Sequence, residues 1–196
     1  GLPIEQLIIA TNSNDVLHRF MSKNQYEVHE LQHTITPSMD IAVSSNFERL
    51  LFDLYDQDGK ALAELMTRMN AKKDIVTLDD DKLAKARELF DSYACDEDTT
   101  VKTMQDVFEE TGYLLDPHTA IGVKAARTVR RNKNIPIITL GTAHPVKFEE
   151  AVKRAGFEMP SLPHHLADLM EREERMDVLP ADLAEVQKFV AEKTFK

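Results

Sequence analysis

Cysteine is nearly absent from this chain: Cys95 is the single one in 196 residues. A disulfide within one chain is thereby excluded, which suits a reducing compartment such as the cytoplasm. Long apolar stretches are missing too; none approaches the ~20 residues that a membrane-spanning helix needs. Nor is there an excess of positive charge. The formal net charge is −10 and the pI near 5.2, whereas a nucleic-acid surface concentrates Lys and Arg. An anionic small ligand stays allowed, because it answers to local rather than net charge. The opening "GLPIEQLIIA" has no basic segment ahead of its apolar one and does not read as a signal peptide. It also lacks an initiating Met, which leads us to expect a piece of a longer protein. No internal repeat or low-complexity segment occurs. With 42% hydrophobic and 30% charged residues, the chain has the proportions of a globular protein long enough to bury a core.

Two short apolar runs, "QLIIAT" (6–11) and "IPIITL" (135–140), have the β-branched character of strands buried on both faces. Helical periodicity fills most of the rest. "SSNFERLLFDLYD" carries a capping-box pattern, Ser45 with Glu48 three residues on. Phe47, Leu50, Leu51, Leu54 and Tyr55 then share one helical face. After a turn at 57–59, Leu62, Leu65, Met66 and Met69 mark a second helix. "TLDDDKLAKARELF" predicts a third, capped by Thr77 and opened by acidic residues. "TTVKTMQDVFEETG" stops at Gly112. "DPHTAIGVKAARTVRR" starts with Asp116 as N-cap and Pro117 in the first turn. "PVKFEEAVKRAG" stops at Gly156, and a last helix runs from about Pro180 to Lys193. The fold class expected is α/β: helix-rich, with an incomplete parallel sheet flanked by helices. Two or three such strands do not make a sheet covered on both faces, so further strands are expected upstream of Gly1.

Several constellations could carry chemistry. "HELQH" (29–33) fits the zinc-hydrolase pattern, with His29 and His33 as ligands and Glu30 as general base. It needs a helix, yet Thr34, Ile35 and Thr36 favour a strand and Pro37 ends any helix within a turn. A strand with two histidines on one face is the reading preferred. "DQDGK" fails as a calcium loop, because the twelfth position is Leu65 rather than Glu. His164 and His165 are adjacent and diverge, which suits a loop pair better than a metal site. The lysines, Lys147 among them, read as solvated surface charges. No metal site is assigned.

"IPIITL-GTAHP-VKFEEAV" reads as strand, tight turn and helix, the arrangement whose turns gather ligands at the carboxyl ends of open α/β sheets. Gly141 permits a close approach, and Thr142 offers a hydroxyl at the strand end. From the residues alone, Thr142 or His144 serves equally well as a cap for the next helix.

Across nearly its whole length the chain resembles the C-terminal portion of the threonine synthase family, pyridoxal-phosphate enzymes of fold-type II. The likeness is carried by "LIIATNSNDVLHRF" (7–20), "TITPSMDIAVSSNFERLLFDL" (34–54), "TGYLLDPHTAIGVKAA" (111–126) and "TLGTAHPVKFEEAV" (139–152). A weaker match is "LPADLAEVQKF" (179–189). The resemblance implies that residues 1–196 are the C-terminal portion of one catalytic domain. It implies conversion of O-phospho-L-homoserine and water to L-threonine and phosphate, with pyridoxal 5'-phosphate as cofactor.

The same likeness assigns Thr142 to hydrogen-bond the pyridine nitrogen, with Gly141 and Asn12 as further cofactor residues and Ser45 and Asn46 as substrate contacts. For Ser45 the capping role stays equally open. In the family, the Schiff-base lysine and the glycine- and asparagine-rich phosphate loop lie in the N-terminal part. No catalytic residue is therefore assigned here, the remaining N-terminal part is the expected partner, and these residues alone are expected to be inactive. The competing expectations are a zinc-dependent hydrolase built on "HELQH" and a non-catalytic, threonine-synthase-like binding module. Neither nucleic acid nor a membrane is an expected partner.

Overall fold

Leu7–Thr11 forms the strand expected of its β-branched run, here β1. Its partner is a surprise. In the computed structural model, which describes residues 2–71 and 75–194, β1 pairs in parallel with β2, Phe90–Ala94. The register sets Leu7 against Phe90 and Thr11 against Ala94. Parallel neighbours need a long crossover, and here it carries four helices. These are α1 (Val16–Lys23), α2 (Glu48–Leu54), α3 (Gly59–Asn70) and α4 (Asp80–Leu89). After β2 come α5 (Glu97–Thr111) and α6 (Pro117–Val129), then a 3-10 turn at Pro145–Lys147 and α7 (Glu149–Arg154). The architecture is α/β and helix-rich, with a small parallel sheet against which α1 and α6 both pack.

The chain divides into two units, one ending at Pro160 and the other starting at Ser161. The second holds a 3-10 turn at His164–Leu166 and helix α8, Leu183–Thr194. Among the described residues no helix is long and apolar enough to cross a membrane.

Two cores build the first unit. Phe20 of α1, Tyr26, Phe47, Leu51 and Leu54 of α2, and Leu62, Leu65 and Met69 of α3 make the larger one. Tyr26 and Phe47 stack at 5.9 Å between ring centroids, with Phe20 edge-on to Phe47 at 4.7 Å. The helical stripes read from spacing are thus the faces that are buried. The smaller core joins Met104 and Val107 of α5, Ala120 of α6, Ala151 and Val152 of α7, and Ala155 just after it. Helix ends follow the expected chemistry in places. Gly112 closes α5 at φ +74° and Gly156 follows α7 at φ +81°, left-handed positions that glycine takes without a Cβ penalty.

Four expectations are corrected. "IPIITL" is not a strand: it runs extended and unpaired, with Ile138 86% and Leu140 76% exposed. A strand needs a neighbour to receive its backbone groups, and no described strand lies beside it. The helix expected to run through Phe90 stops at Leu89, and the chain turns straight into β2, a strand that no apolar run marks. Its polar residues are satisfied by distant partners: Asp91 accepts from Gln6 and Arg131, and Ser92 pairs with His18. The capping box does not form, because Ser45 opens a short 3-10 turn and α2 begins at Glu48. The cap of α4 is Asp79 rather than Thr77, and its side chain makes no capping bond.

Candidate functional site

Helix α6 begins where its sequence says it should. Pro117 occupies the first helical position, and the Asp116 carboxylate accepts from the backbone N–H of His118 (2.9 Å) and Thr119 (3.4 Å). Ordinary capping ends there, but Asp116 does more. It is only 2% exposed, and its Oδ1 also lies 3.1 Å from His118 Nδ1. Its Oδ2 accepts the Thr119 hydroxyl. Burial pushes the carboxyl pKa up, and the bonds from His118 and Thr119, side chain and backbone together, outweigh it. The net result lies below the usual carboxylate value, as for a carboxylate that gathers several donors.

Each of these two partners reaches onward. His118 Nε2 accepts from the Ser38 N–H at 3.2 Å, so Nδ1 is the nitrogen that carries the proton and donates to Asp116. The ring packs against Phe148, 4.5 Å between centroids. Thr119 Oγ1, its own proton given to Asp116, accepts from the Thr142 N–H at 3.1 Å. One buried carboxylate thus connects Ser38 on one side with Thr142 on the other.

Ser38 and Thr142 both line a cavity of about 760 Å³. Its walls are the approach to β1 and the strand itself, the α6 stripe His118, Gly122 and Ala126, and the extended segment 135–143. The lining is mainly apolar, with Glu5, Arg130 and Lys147 as charged groups. Arg130 is occupied in part by the carbonyls of Asn132, Lys133 and Ile135, which hold the loop before the extended segment. Gly122 lets that segment come close: a Cβ there would meet Thr139 Cγ2 at 2.9 Å.

The five residues singled out from sequence fall into two groups. Thr142 is in the cavity wall, and Gly141 lies between two lining residues, Leu140 and Thr142. The capping alternative left open for the GTAHP turn is taken by His144, whose Nδ1 accepts from Val146 N–H at 3.2 Å. The Thr142 hydroxyl is not used that way. Among the described residues, the single hydrogen bond on Thr142 is made by its backbone, and the residue is exposed.

Asn12, Ser45 and Asn46 are not among the lining residues. Asn12 is 2% exposed; its amide donates among Thr34, Thr36 and Asp40 at 2.8–3.0 Å and its oxygen accepts from Asn14 N–H. Ser45 and Asn46 sit exposed on the turn before α2.

Sequence reasoning passed over Ser38 and His118; Lys147, read as a surface charge, is exposed and also stands at the cavity. Only the DPHTAIG motif, already noted as a helix start, held a signal for His118. The "HELQH" stretch forms neither a helix nor the strand preferred for it. It is an exposed irregular segment in which His29 pairs with Glu27 at 3.0 Å. Two ligands four residues apart share a face only on a helix or strand, so the zinc reading lacks its scaffold.

Known proteins resemble this chain in both sequence and fold. The family described as "Threonine synthase, C-terminal" matches residues 119–190, which include Thr119 and the GTAHP turn. A threonine synthase of Pseudomonas aeruginosa is 56% identical over 98% of this chain, and the match covers 41% of that protein. The Saccharomyces cerevisiae threonine synthase is 35% identical over 100% of the chain and 43% of its own length. Among solved structures, the PLP-bound threonine synthase of Brucella melitensis superposes with a TM-score of 0.88 at 43% identity. That match covers 100% of this chain and 42% of the other. The yeast enzyme superposes at 0.82 with 33% identity, covering 98% of this chain and 43% of that one. The chain therefore spans about two-fifths of the length of these relatives. With sequence and fold matching together along nearly its whole length, the chain belongs to the threonine synthase family and corresponds to a C-terminal portion of its members.

Proposed function

We propose that residues 1–196 are the C-terminal portion of the catalytic domain of a threonine synthase, which converts O-phospho-L-homoserine and water to L-threonine and inorganic phosphate. The observation that carries this is the 56% identity to a threonine synthase over 98% of the chain. Pyridoxal 5'-phosphate is the cofactor of the whole enzyme; when bound, it supplies an electron sink for negative charge at the substrate carbons. The residues present suit such a group. The cavity is lined mainly by apolar side chains, as a planar aromatic ring requires, and its wall carries two exposed residues whose hydroxyls have no partner among the described residues, Ser38 and Thr142.

Thr142 would help hold the group by donating a hydrogen bond from its hydroxyl to the pyridine nitrogen, and Gly141 would keep the turn slim beside it. A neutral donor suits an unprotonated nitrogen, whereas a carboxylate would favour the protonated form. Asn12 acts at one remove, holding the 34–40 loop that carries Ser38. Ser45 and Asn46, exposed on the turn before α2, are the substrate contacts this reading carries over from the family likeness. Lys147 supplies positive charge at the cavity for a substrate that carries phosphate.

The unpaired segment 135–140 and the free edge of β1 receive further strands from the rest of the enzyme. That N-terminal part also brings the Schiff-base lysine and the phosphate loop, so the 196-residue chain alone is inactive. The test is Thr142→Val in the longer enzyme. The absorbance of the bound cofactor shifts and turnover falls, with the far-UV spectrum retained. An unchanged spectrum and rate would remove Thr142 from this role. A native gene product no longer than these residues would instead favour the non-catalytic module.

A further inference from the structure

We propose that Asp116 is a positioning residue that fixes two parts of the cavity wall at once, Ser38 through His118 and Thr142 through Thr119. Three observations combine. First, the carboxylate is buried, and its donors exceed what a cap needs: two backbone N–H groups, an imidazole and a hydroxyl. Second, the polarity of each branch is set. Asp116 accepts only, so Thr119 spends its one proton on Asp116 and presents lone pairs to Thr142 N–H. His118 likewise spends its Nδ1 proton on Asp116 and presents Nε2 to Ser38 N–H. Third, both branches end on backbone N–H groups of cavity-lining residues, Ser38 in a three-residue 3-10 turn (Pro37–Met39) and Thr142 in a segment outside any helix or strand. Such segments open at low free energy unless tied. A single hydrogen bond thus holds the backbone from which the Thr142 hydroxyl projects.

Only the consequence for the cofactor rests on the reading given under Proposed function; the relay itself does not. The experiment keeps the two separate. In the longer enzyme, amide exchange by NMR reads Ser38 and Thr142 individually. Thr119→Val removes the acceptor, and the Thr142 amide exchanges on the order of 10-fold faster, the loss of one ordinary hydrogen bond, while Ser38 is unchanged. Thr119→Ser restores the slow rate. His118→Phe keeps the ring against Phe148 and accelerates Ser38 alone. Asp116→Ala accelerates both. Each variant is checked for retained β1–β2 protection, and if Asp116→Ala does not fold, the other two decide.

An unchanged Thr142 rate in Thr119→Val overturns the Thr119 branch, and acceleration limited to the α6 amides in Asp116→Ala reduces Asp116 to a cap. In the longer holoenzyme, Thr119→Val shifts the absorbance of the bound cofactor and lowers kcat with KM little changed, and Thr119→Ser recovers both. Faster exchange without a spectral change would leave the relay standing and overturn the pairing of Thr142 with the pyridine nitrogen.

Discussion

Gly122→Ala tests the close approach that brings the GTAHP segment against α6. In a helix interior, alanine is favoured over glycine by about 1 kcal/mol. Against that, the new Cβ would meet Thr139 Cγ2 at 2.9 Å, where a comfortable carbon–carbon contact is about 3.5–4.0 Å. The segment must retreat by roughly 0.6–1.1 Å to recover that distance. Overpacking of this kind costs about 1–3 kcal/mol. The lower end applies here, because the segment around Thr139 is exposed and unpaired and moves without disturbing a core.

The two effects then nearly cancel, and Gly122→Ala is close to neutral in the wild-type background. Thr139→Ala removes the colliding methyl. In that background Gly122→Ala should stabilise by about 1 kcal/mol, the bare helix preference. Urea denaturation of the four members of this double-mutant cycle, followed by far-UV circular dichroism, yields the coupling of about 1 kcal/mol. Equal stabilisation in both backgrounds would mean that α6 and Thr139 do not touch, and the cavity wall as described would be wrong.

Two further expectations concern stability and reactivity. The Asp116 carboxyl titrates below its unfolded value, so its contribution is complete above the ordinary Asp range near 3.9 and is lost as pH falls through the depressed folded value. Urea midpoints should therefore drop more steeply between pH 5 and acid for the wild type than for Asp116→Asn; parallel curves would show that the carboxylate has no such linkage. Burial pushes the Cys95 thiol up, against a smaller opposing effect of its hydrogen bond to Thr100, and the residue is 2% exposed. Its reaction with a disulfide reagent at neutral pH should accordingly be far slower in the native chain than in urea; equal rates would contradict its burial.

Much of the local structure was legible because short-range chemistry decides it. Asp116, Pro117, Gly112 and Gly156 end or begin helices through their own backbone preferences, and the stripes of α2 and α3 bury the faces their spacing marks. Where a neighbour decides, spacing failed in both directions. The apolar run 135–140 reads as a strand but finds nothing to pair with, while the polar FDSYA becomes one because Gln6, Arg131 and His18 meet its side chains. Ser45 followed by Glu48 looked like a capping box, yet a 3-10 turn displaced it.

For the site, the sequence by itself singled out the GTAHP turn, the hydroxyl of Thr142 and the family to which they belong. It left the cap ambiguous between Thr142 and His144. Tertiary structure assigned the cap to His144, left the Thr142 hydroxyl exposed at the cavity, and joined Thr142 to Asp116 through Thr119, 23 residues away in the chain. The physical reason is range. Helix signals act within a few residues, but the orientation of a hydroxyl at a cavity depends on donors and acceptors that only the packing of α6 against the extended segment brings within hydrogen-bond reach.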